Sequence, residues 1–121
     1  MNYFFDTYAI IELIKGNPKY EFVKDQTIVT GVMNVAEVYY ALLLENSKDI
    51  VDTIIKKCNF HFIIVSPEIA IESAVLRYKY KKSELSYIDC VGYILSLHNH
   101  LIFLTGDKGF QNLDNVTFVP K

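Results

Sequence analysis

Four acidic residues of this chain stand beside strongly apolar runs, where an isolated negative charge is costly. They are Asp6 after Tyr3-Phe4-Phe5, Glu37 within 35–40, Asp89 after Tyr87-Ile88, and Asp107 shortly after 101–104. A carboxylate near a core must be paired, hydrogen-bonded or bound to a cation, because desolvating an unpaired ion costs several kcal/mol. Nearly all of the 12 Lys and Arg residues lie in polar connecting stretches. The pattern therefore predicts one site for a divalent metal ion.

The composition is that of one folded domain covering residues 1–121. Hydrophobic residues make up 51% and charged residues 21% of the chain, which excludes disorder. No apolar run reaches the roughly 20 residues of a membrane span, and no signal peptide is indicated, so we expect a cytoplasmic protein. The net charge of −2 argues against a chain-wide attraction for nucleic acid, but not against a nucleic-acid substrate. Cys58 and Cys90 form no CxxC motif and are predicted to be small core residues.

Strand and helix signals alternate along the chain. Strands are predicted at 2–5, 28–30, 60–65, 101–105 and 117–119, and helices at 7–15, 34–44, 47–57, 66–82 and 87–98, with a short helix after Asn17-Pro18. This alternation predicts an α/β fold with a mainly parallel central sheet of about five strands, flanked by helices on both faces.

The four acids fall where such a fold binds ligands, at the carboxyl ends of its strands. Asp6 ends the first strand and Asp107 follows the fourth, while Glu37 and Asp89 lie near the beginnings of two helices. We expect all four side chains to point to the same edge of the sheet. Their oxygen atoms are ligands that suit Mg²⁺ or Mn²⁺.

Each acid taken alone also fits a structural role at the beginning of a helix. Asp6 and Asp107 fit N-caps, and Asn34-x-x-Glu37 and Ser86-x-x-Asp89 have the spacing of a capping box. Capping does not explain why the four recur at one end of one sheet, and clustered carboxylates repel each other unless a cation is bound. Taken together, the acids favour the metal interpretation.

The motifs around these acids resemble those of PIN-domain ribonucleases, especially the small VapC-type toxins of toxin-antitoxin pairs. The resemblance covers essentially the whole chain. It rests on Phe5-Asp6-Thr7-Tyr8-Ala9, Asn34-Val35-Ala36-Glu37, Leu85-Ser86-Tyr87-Ile88-Asp89 and Leu104-Thr105-Gly106-Asp107-Lys108-Gly109-Phe110. Each motif is weak alone, but four in this order within a domain of this length are specific.

The resemblance implies a Mg²⁺- or Mn²⁺-dependent endoribonuclease that has a cognate antitoxin protein as its partner. The residues that it implies as both metal ligands and catalytic groups are Asp6, Glu37, Asp89 and Asp107. The metal would activate water and stabilise the leaving oxygen, while the acids orient the ions and accept protons. Thr7 and Thr105 are candidates for supporting hydrogen bonds. Tyr8 departs from the family pattern, which often has a small polar residue at this position.

Two further features indicate binding partners. The segment 77–82 is the one cluster that combines basic and aromatic residues, which suits contacts to RNA phosphates and stacking on an unpaired base. The alternative is a solvated helix end whose positive charges complement the helix dipole. The candidate RNA-binding residues are Arg77, Lys79, Lys81, Lys82 and Lys108. The helix around Glu37 carries apolar residues on more than one face, which predicts a homodimer, an antitoxin groove or a deep core position.

Three other functions are compatible with an acidic α/β domain. A phosphoacceptor receiver domain would need paired acids after the first strand and an Asp after the third, where this chain has only Asp6 and Ser66. A metal-free binding module of PIN type would be expected to have lost an acid, and none of the four is missing. A housekeeping RNA-processing nuclease would differ from a toxin in having no inhibitor encoded beside it.

Overall fold

The computed structural model describes residues 2–121 and is organised around one sheet. Its strands are β1 (Tyr3–Phe5), β2 (Ile28–Thr30), β3 (Phe60–Phe62), β4 (Ile102–Thr105) and β5 (Val116–Phe118). All neighbouring strands are parallel, in the order β3-β2-β1-β4-β5. Parallel neighbours require crossover connections that return the chain to the same edge of the sheet. The predicted α/β fold with a parallel sheet of five strands is confirmed.

Five helices provide or flank those crossovers. They are α1 (Thr7–Ile14), α2 (Val32–Leu43), α3 (Lys48–Lys57), α4 (Pro67–Lys79) and α5 (Tyr87–His98), and short 3₁₀ segments occupy Pro18–Val23, Lys81–Ser83 and Lys108–Phe110. Ser47, Ser66 and Ser86 each accept a hydrogen bond from an amide in the first turn of the helix that follows, as their positions predict. Within residues 2–121, no helix has the length and apolar character needed to cross a membrane.

The sheet separates two hydrophobic cores because successive side chains of a strand point to opposite faces. Phe4 and Phe103 belong to the core under α4 and α5, which also contains Cys90 as the sequence predicts. Phe5 and Leu104 belong to the core under α1, α2 and α3. All four of these β1 and β4 side chains are 0% exposed. The two central strands are therefore buried on both faces, and their carboxyl ends are held firmly in place.

Two predicted elements end three residues earlier in the structure than the sequence predicts. The third strand ends at Phe62 and not at 65, because its partner β2 ends at Thr30, whose carbonyl oxygen accepts the last hydrogen bond between them from the N–H of Ile63. Ile64, just beyond this end, is 87% exposed. The helix predicted to reach 82 ends at Lys79, after which the chain tightens into a 3₁₀ segment and Glu84 takes a left-handed conformation with φ of 57°.

The helix predicted to begin at Asn34 begins instead at Val32, with Gly31 as its N-cap. Asn34 is a favoured N-cap residue, but its side chain is used elsewhere and donates a hydrogen bond to Thr7. The capping-box interpretation of Asn34 and Glu37 is therefore wrong, because Glu37 lies beyond the first turn of α2. The deep-core alternative for this helix is also wrong for several of its apolar residues, which are exposed: Val32, Met33, Tyr40 and Leu43.

Gly92 allows α5 to approach the sheet closely. A Cβ atom added there would lie 2.8 Å from Cε1 of Phe4 and 3.2 Å from Cε1 of Phe103. Both rings are fully buried and cannot move aside without disturbing the core. A glycine within a helix ordinarily lowers stability by about 0.5–1 kcal/mol relative to alanine. At this position the loss is accepted because only glycine lets the helix pack this closely on the sheet.

We predict that Gly92→Ala lowers the free energy of unfolding by about 1–3 kcal/mol, because overpacking outweighs the better helix propensity of alanine. Urea unfolding followed by circular dichroism measures this difference. Adding Phe4→Leu to Gly92→Ala should recover part of the loss by removing the ring edge that the new methyl group meets. A higher midpoint for Gly92→Ala than for the wild type would contradict this account of the packing.

Candidate active site

Asp6 lies at the end of β1, next to the end of β4, and its carboxyl group is tightly held. Its backbone N–H donates to the carbonyl oxygen of Leu104 at 3.1 Å, which extends the ladder between the two strands. Oδ1 accepts a hydrogen bond from the backbone N–H of Tyr8 at 2.5 Å, and Oδ2 accepts one from the hydroxyl of Thr105 at 2.5 Å. The residue is only 3% exposed. Asp6 thus caps α1 as predicted, while its carboxyl group remains buried.

Burial raises the pKa of Asp6 from 3.8 to about 7. The hydrogen bonds from Thr105 and Tyr8 oppose this shift, and the charges of Asp89 and Asp107 add to it. The ion pairs found among residues 2–121 do not include any of the four candidate acids. A buried carboxyl group with no basic partner fits a positively charged ligand, which would favour its ionised form.

Thr105 couples Asp6 to the turn that carries Asp107. Its buried hydroxyl donates to Asp6 and accepts from the backbone N–H of Asp107 at 3.0 Å. Oδ1 of Asp107 in turn accepts from the backbone N–H of Gly109 at 2.9 Å, so Asp107 caps the short 3₁₀ segment. Phe110 anchors this segment in the core, with its ring centroid 4.7 Å from that of Phe103.

Asp89 belongs to a complete capping box at the beginning of α5. Its Oδ2 accepts from the backbone N–H of Ser86 at 2.9 Å, and its own N–H donates to the hydroxyl of Ser86 at 3.1 Å. Burial raises the pKa of Asp89, the hydrogen bonds from Ser86 oppose the shift, and the charge of Asp107 adds to it. The structural role predicted for Asp89 is therefore present, and its carboxylate is near enough to Asp107 for the two charges to interact.

Glu37 is attached to the site through Thr7, the residue that follows Asp6. The hydroxyl of Thr7 donates to Oε1 of Glu37 at 2.6 Å and accepts from Nδ2 of Asn34 at 3.1 Å. This network joins the first turn of α1 to α2 and gives Thr7 the supporting position that the sequence indicates. Asn34 is a positioning residue that sequence reasoning missed, since a favoured N-cap residue at that position looked like the beginning of the helix.

The structure brings the four acids to one edge of the sheet but does not close them around a point. Within residues 2–121, no three carboxylate, thiol or imidazole groups are close enough together to hold a metal ion as they stand. One oxygen each of Glu37, Asp89 and Asp107 accepts a hydrogen bond from the chain, which leaves the other oxygen available. Such oriented oxygen donors match the chemistry of Mg²⁺ and Mn²⁺.

The candidate RNA-binding residues form an exposed rim. Arg77 and Lys79 lie in the last turn of α4, and Lys81 and Lys82 lie in the 3₁₀ segment that follows. Lys108 is exposed beside Asp107. All five basic side chains are therefore exposed to solvent, in a chain whose net charge is −2.

The fold and the site together define the class of protein, an α/β domain with acidic side chains at the carboxyl edge of a parallel sheet. The model of the PIN domain family matches residues 3–116, and the chain belongs to that family. The resemblance predicted from the motifs is confirmed at this level, and the receiver-domain alternative is excluded. No curated protein matches the sequence of this chain.

Three solved structures share the fold over nearly the whole chain. A toxin-antitoxin complex from Klebsiella pneumoniae is 21% identical, with a TM-score of 0.74, and the match covers 97% of this chain and 96% of that one. VapBC2 from Rickettsia felis, bound to a promoter DNA fragment, is 18% identical with a TM-score of 0.70, covering 99% and 98%. VapC20 from Mycobacterium tuberculosis, a toxin that cleaves the sarcin-ricin loop, is 11% identical with a TM-score of 0.78, covering 99% and 100%. Similarity at these identities establishes the fold.

The raised pKa of Asp6 predicts a pH dependence of stability in the presence of a chelator. Between about pH 4 and pH 7 the folded protein keeps the Asp6 proton and the unfolded chain loses it, so the contribution of Asp6 to stability falls as the pH rises. The fall should amount to a few kcal/mol over this window. Asp6→Asn should make the decline shallower. Thr105→Val should extend it to higher pH, because it removes a hydrogen bond that lowers the pKa.

Urea unfolding from about pH 4 to about pH 8, at fixed ionic strength, measures both effects. Burial raises the pKa of Asp89 as well, so part of the decline should persist in Asp6→Asn. Identical pH profiles for the wild type and Asp6→Asn would show that Asp6 does not keep its proton in the folded state.

Proposed function

We propose that this chain is a divalent-metal-dependent endoribonuclease that hydrolyses RNA phosphodiester bonds, and that it is the toxin of a toxin-antitoxin pair in the cytoplasm. The observation that carries the proposal is the buried Asp6 carboxyl group, held beside Asp89 and Asp107 without a basic partner. It lies at the ligand-binding edge of a PIN-family fold. A toxin described as cleaving the sarcin-ricin loop has the same fold, which favours RNA as the substrate class.

The residues that would hold Mg²⁺ or Mn²⁺ are Asp6, Glu37, Asp89 and Asp107. A bound divalent cation supplies charge that activates water and stabilises the transferring phosphoryl group. The negative charge of the site favours such a cation, because Asp6, Asp89 and Asp107 repel the phosphate of a substrate as well as each other.

The chain's own contribution is to orient these carboxylates. Thr105 and the N–H of Tyr8 hold both oxygens of Asp6, Thr7 holds one oxygen of Glu37, and Ser86 holds one of Asp89. Each carboxylate thereby loses rotational freedom before ligand binds, which lowers the cost of assembling the site. An ionised acid that faces the substrate can also accept the proton released during hydrolysis.

We predict that purified protein cleaves single-stranded RNA when Mg²⁺ or Mn²⁺ is added, and that a chelator stops the reaction. Asp89→Asn should reduce the rate on the order of 100-fold or more, because the amide keeps the shape of the side chain but not its charge. Thr105→Val should lower the cleavage rate about tenfold, because it removes the hydrogen bond that orients the Asp6 carboxyl group. Denaturing gel electrophoresis of a labelled RNA measures these rates.

Asp25→Asn is the matched control, because Asp25 is an exposed acid outside the site and lines a cavity with Ile28 at the opposite edge of the sheet. Its rate should equal that of the wild type. Cleavage that survives both the chelator and Asp89→Asn would overturn the mechanism. RNA binding without cleavage under any metal condition would instead indicate a non-catalytic binding module.

An apolar groove adjoins the acids and is where we propose that the antitoxin binds. The cavity has a volume of about 490 Å³ and is lined by Met33, Asn34, Ile64 and other residues of α2, α5 and the end of β3. Asn34 also holds Thr7, which holds Glu37, so a segment bound in this groove would lie next to the catalytic acids. Large exposed apolar surfaces of this kind mark sites of protein association. Two of the solved structures that share the fold are toxin-antitoxin assemblies.

We predict that the product of a small adjacent gene binds this chain and inhibits RNA cleavage. Ile64→Asp should weaken that binding at least tenfold, because the groove would then bury an unpaired charge. Ile50→Asp, at an exposed isoleucine of α3, is the control and should bind like the wild type. Isothermal titration calorimetry measures the affinities. Sedimentation equilibrium of the isolated chain tests the homodimer that the apolar residues around Glu37 predict. If no adjacent gene product inhibits, a housekeeping RNA-processing role is favoured.

A further inference from the structure

Another cavity lies between the end of α4 and the beginning of α5. Tyr87 separates it from the apolar groove. Its volume is about 540 Å³, and it is lined by two basic residues, two tyrosines and one acid among others: Arg77, Lys81, Tyr78, Tyr87 and Glu84. Its character differs from that of the apolar groove, since it combines positive charge with aromatic surface. The two kinds of group match the two parts of a nucleotide, its phosphate and its base.

Arg77 is held in this cavity by two contacts. Its Nε–H donates to the carbonyl oxygen of Leu85 at 3.0 Å, and its guanidinium carbon lies 4.5 Å from the ring centroid of Tyr87. It takes part in none of the ion pairs among residues 2–121. Four of its five N–H donors therefore remain for a ligand, in a planar arrangement suited to a phosphate. A charge that served only to solvate the helix end would not need to be fixed in this way.

The tyrosines offer exposed rings to the same space. Tyr78 is 75% exposed and Tyr87 is 57% exposed. Neither ring belongs to the two hydrophobic cores. Nζ of Lys81 lies 5.0 Å from the ring centroid of Tyr78, which places a second cation beside the aromatic surface. Stacking of one base on an aromatic side chain contributes about 1–3 kcal/mol and tolerates any base.

Two chains of contacts connect this cavity to the acids. Ser86 lines the cavity and exchanges two hydrogen bonds with Asp89. Leu85 also lines it, and its Cδ2 lies so close to Gly109 that a Cβ added there would be 2.6 Å away. The N–H of Gly109 donates to Asp107. The cavity thus lies within a few residues of two of the proposed catalytic groups.

We propose that this cavity binds one unpaired nucleotide of the RNA substrate beside the cleaved bond, with Arg77 and Lys81 on its phosphate and the tyrosines against its base. The proposal rests on the proposed function and specifies its substrate as RNA that is single-stranded at this position. A base within a duplex is paired and stacked on its neighbours, so its face is not available to a tyrosine. Glu84 lines the same cavity and weakens phosphate binding by repulsion.

Fluorescence anisotropy with a short labelled single-stranded RNA, in a chelator and over a range of salt concentrations, tests the subsite without any cleavage. Arg77→Met should raise Kd about tenfold and reduce the salt slope by roughly 0.7, the value for one lost phosphate contact to a single strand. Tyr78→Leu and Tyr87→Leu should each raise Kd about fivefold or more at an unchanged salt slope. Glu84→Gln should lower Kd, which a misfolded variant would not do.

Lys56→Met is the matched control, because it removes one exposed positive charge from the last turn of α3, at the opposite edge of the sheet. It should leave Kd and the salt slope near their wild-type values. Melting temperatures establish that each variant is folded, and Arg77→Lys, which keeps the charge, should retain the salt slope while losing affinity. Equal effects of Arg77→Met and Lys56→Met, or equal affinity for a fully paired RNA hairpin, would overturn the subsite.

Cleavage of the same RNA with Mg²⁺, measured in parallel, separates this proposal from the one on which it rests. If binding depends on Arg77 and the tyrosines but no cleavage occurs, the subsite proposal is supported and the nuclease proposal is wrong. Metal-dependent cleavage with unchanged binding in all the cavity variants would support the nuclease and reject the subsite.

Discussion

The burial of the Asp6 carboxyl group is the constraint on which the rest of the site depends. The side chain ends the central strand of the sheet, no basic residue is paired with it, and burial holds its pKa at about 7. Its two oxygens must then be satisfied by the chain, which requires the hydroxyl of Thr105 and the free amide of Tyr8. Thr105 also accepts a hydrogen bond from the N–H of Asp107. Its hydroxyl therefore links Asp6 at the end of β1 to the turn that follows β4.

Helix capping and ligand binding are not competing explanations for these acids. Asp6, Asp89 and Asp107 each accept hydrogen bonds from amides at the beginning of a helical segment. Asp6 and Asp107 follow β1 and β4 and so lie at the carboxyl edge of the sheet, and Asp89 begins the helix that returns the chain to the start of β4. For Asp89 and Asp107 the amide engages one oxygen, and the other remains for a ligand. Glu37 differs because a side-chain network through Thr7 and Asn34 holds it.

Two surfaces of different chemistry adjoin the acidic edge of the sheet. The apolar groove lies between α2 and α5, the basic and aromatic cavity lies between α4 and α5, and Tyr87 borders both of them. The net charge of −2 does not reveal where the charges lie, because opposite charges cancel in the sum wherever they are. The proposed protein partner and the proposed RNA substrate would contact separate surfaces that share one boundary. Occupation of the groove would place an inhibitor beside the site without filling the cavity.

Local signals in the sequence determined the order of strands and helices, the parallel sheet and the caps at Ser47, Ser66 and Ser86, because these depend on neighbouring residues and on alternating apolar runs. The family resemblance followed from four short motifs in order. Contacts between segments distant in sequence decided three other features. These are the beginning of α2 at Val32, the end of β3 at Phe62 and the hydrogen bond from Asn34 to Thr7. Tertiary packing alone decided how deeply Asp6 is buried, which tyrosines share a cavity with Arg77, and that the four acids lie near each other without closing around a point. A sequence specifies which groups are present, but the dielectric surroundings and distances that set their chemistry arise only when the segments pack together.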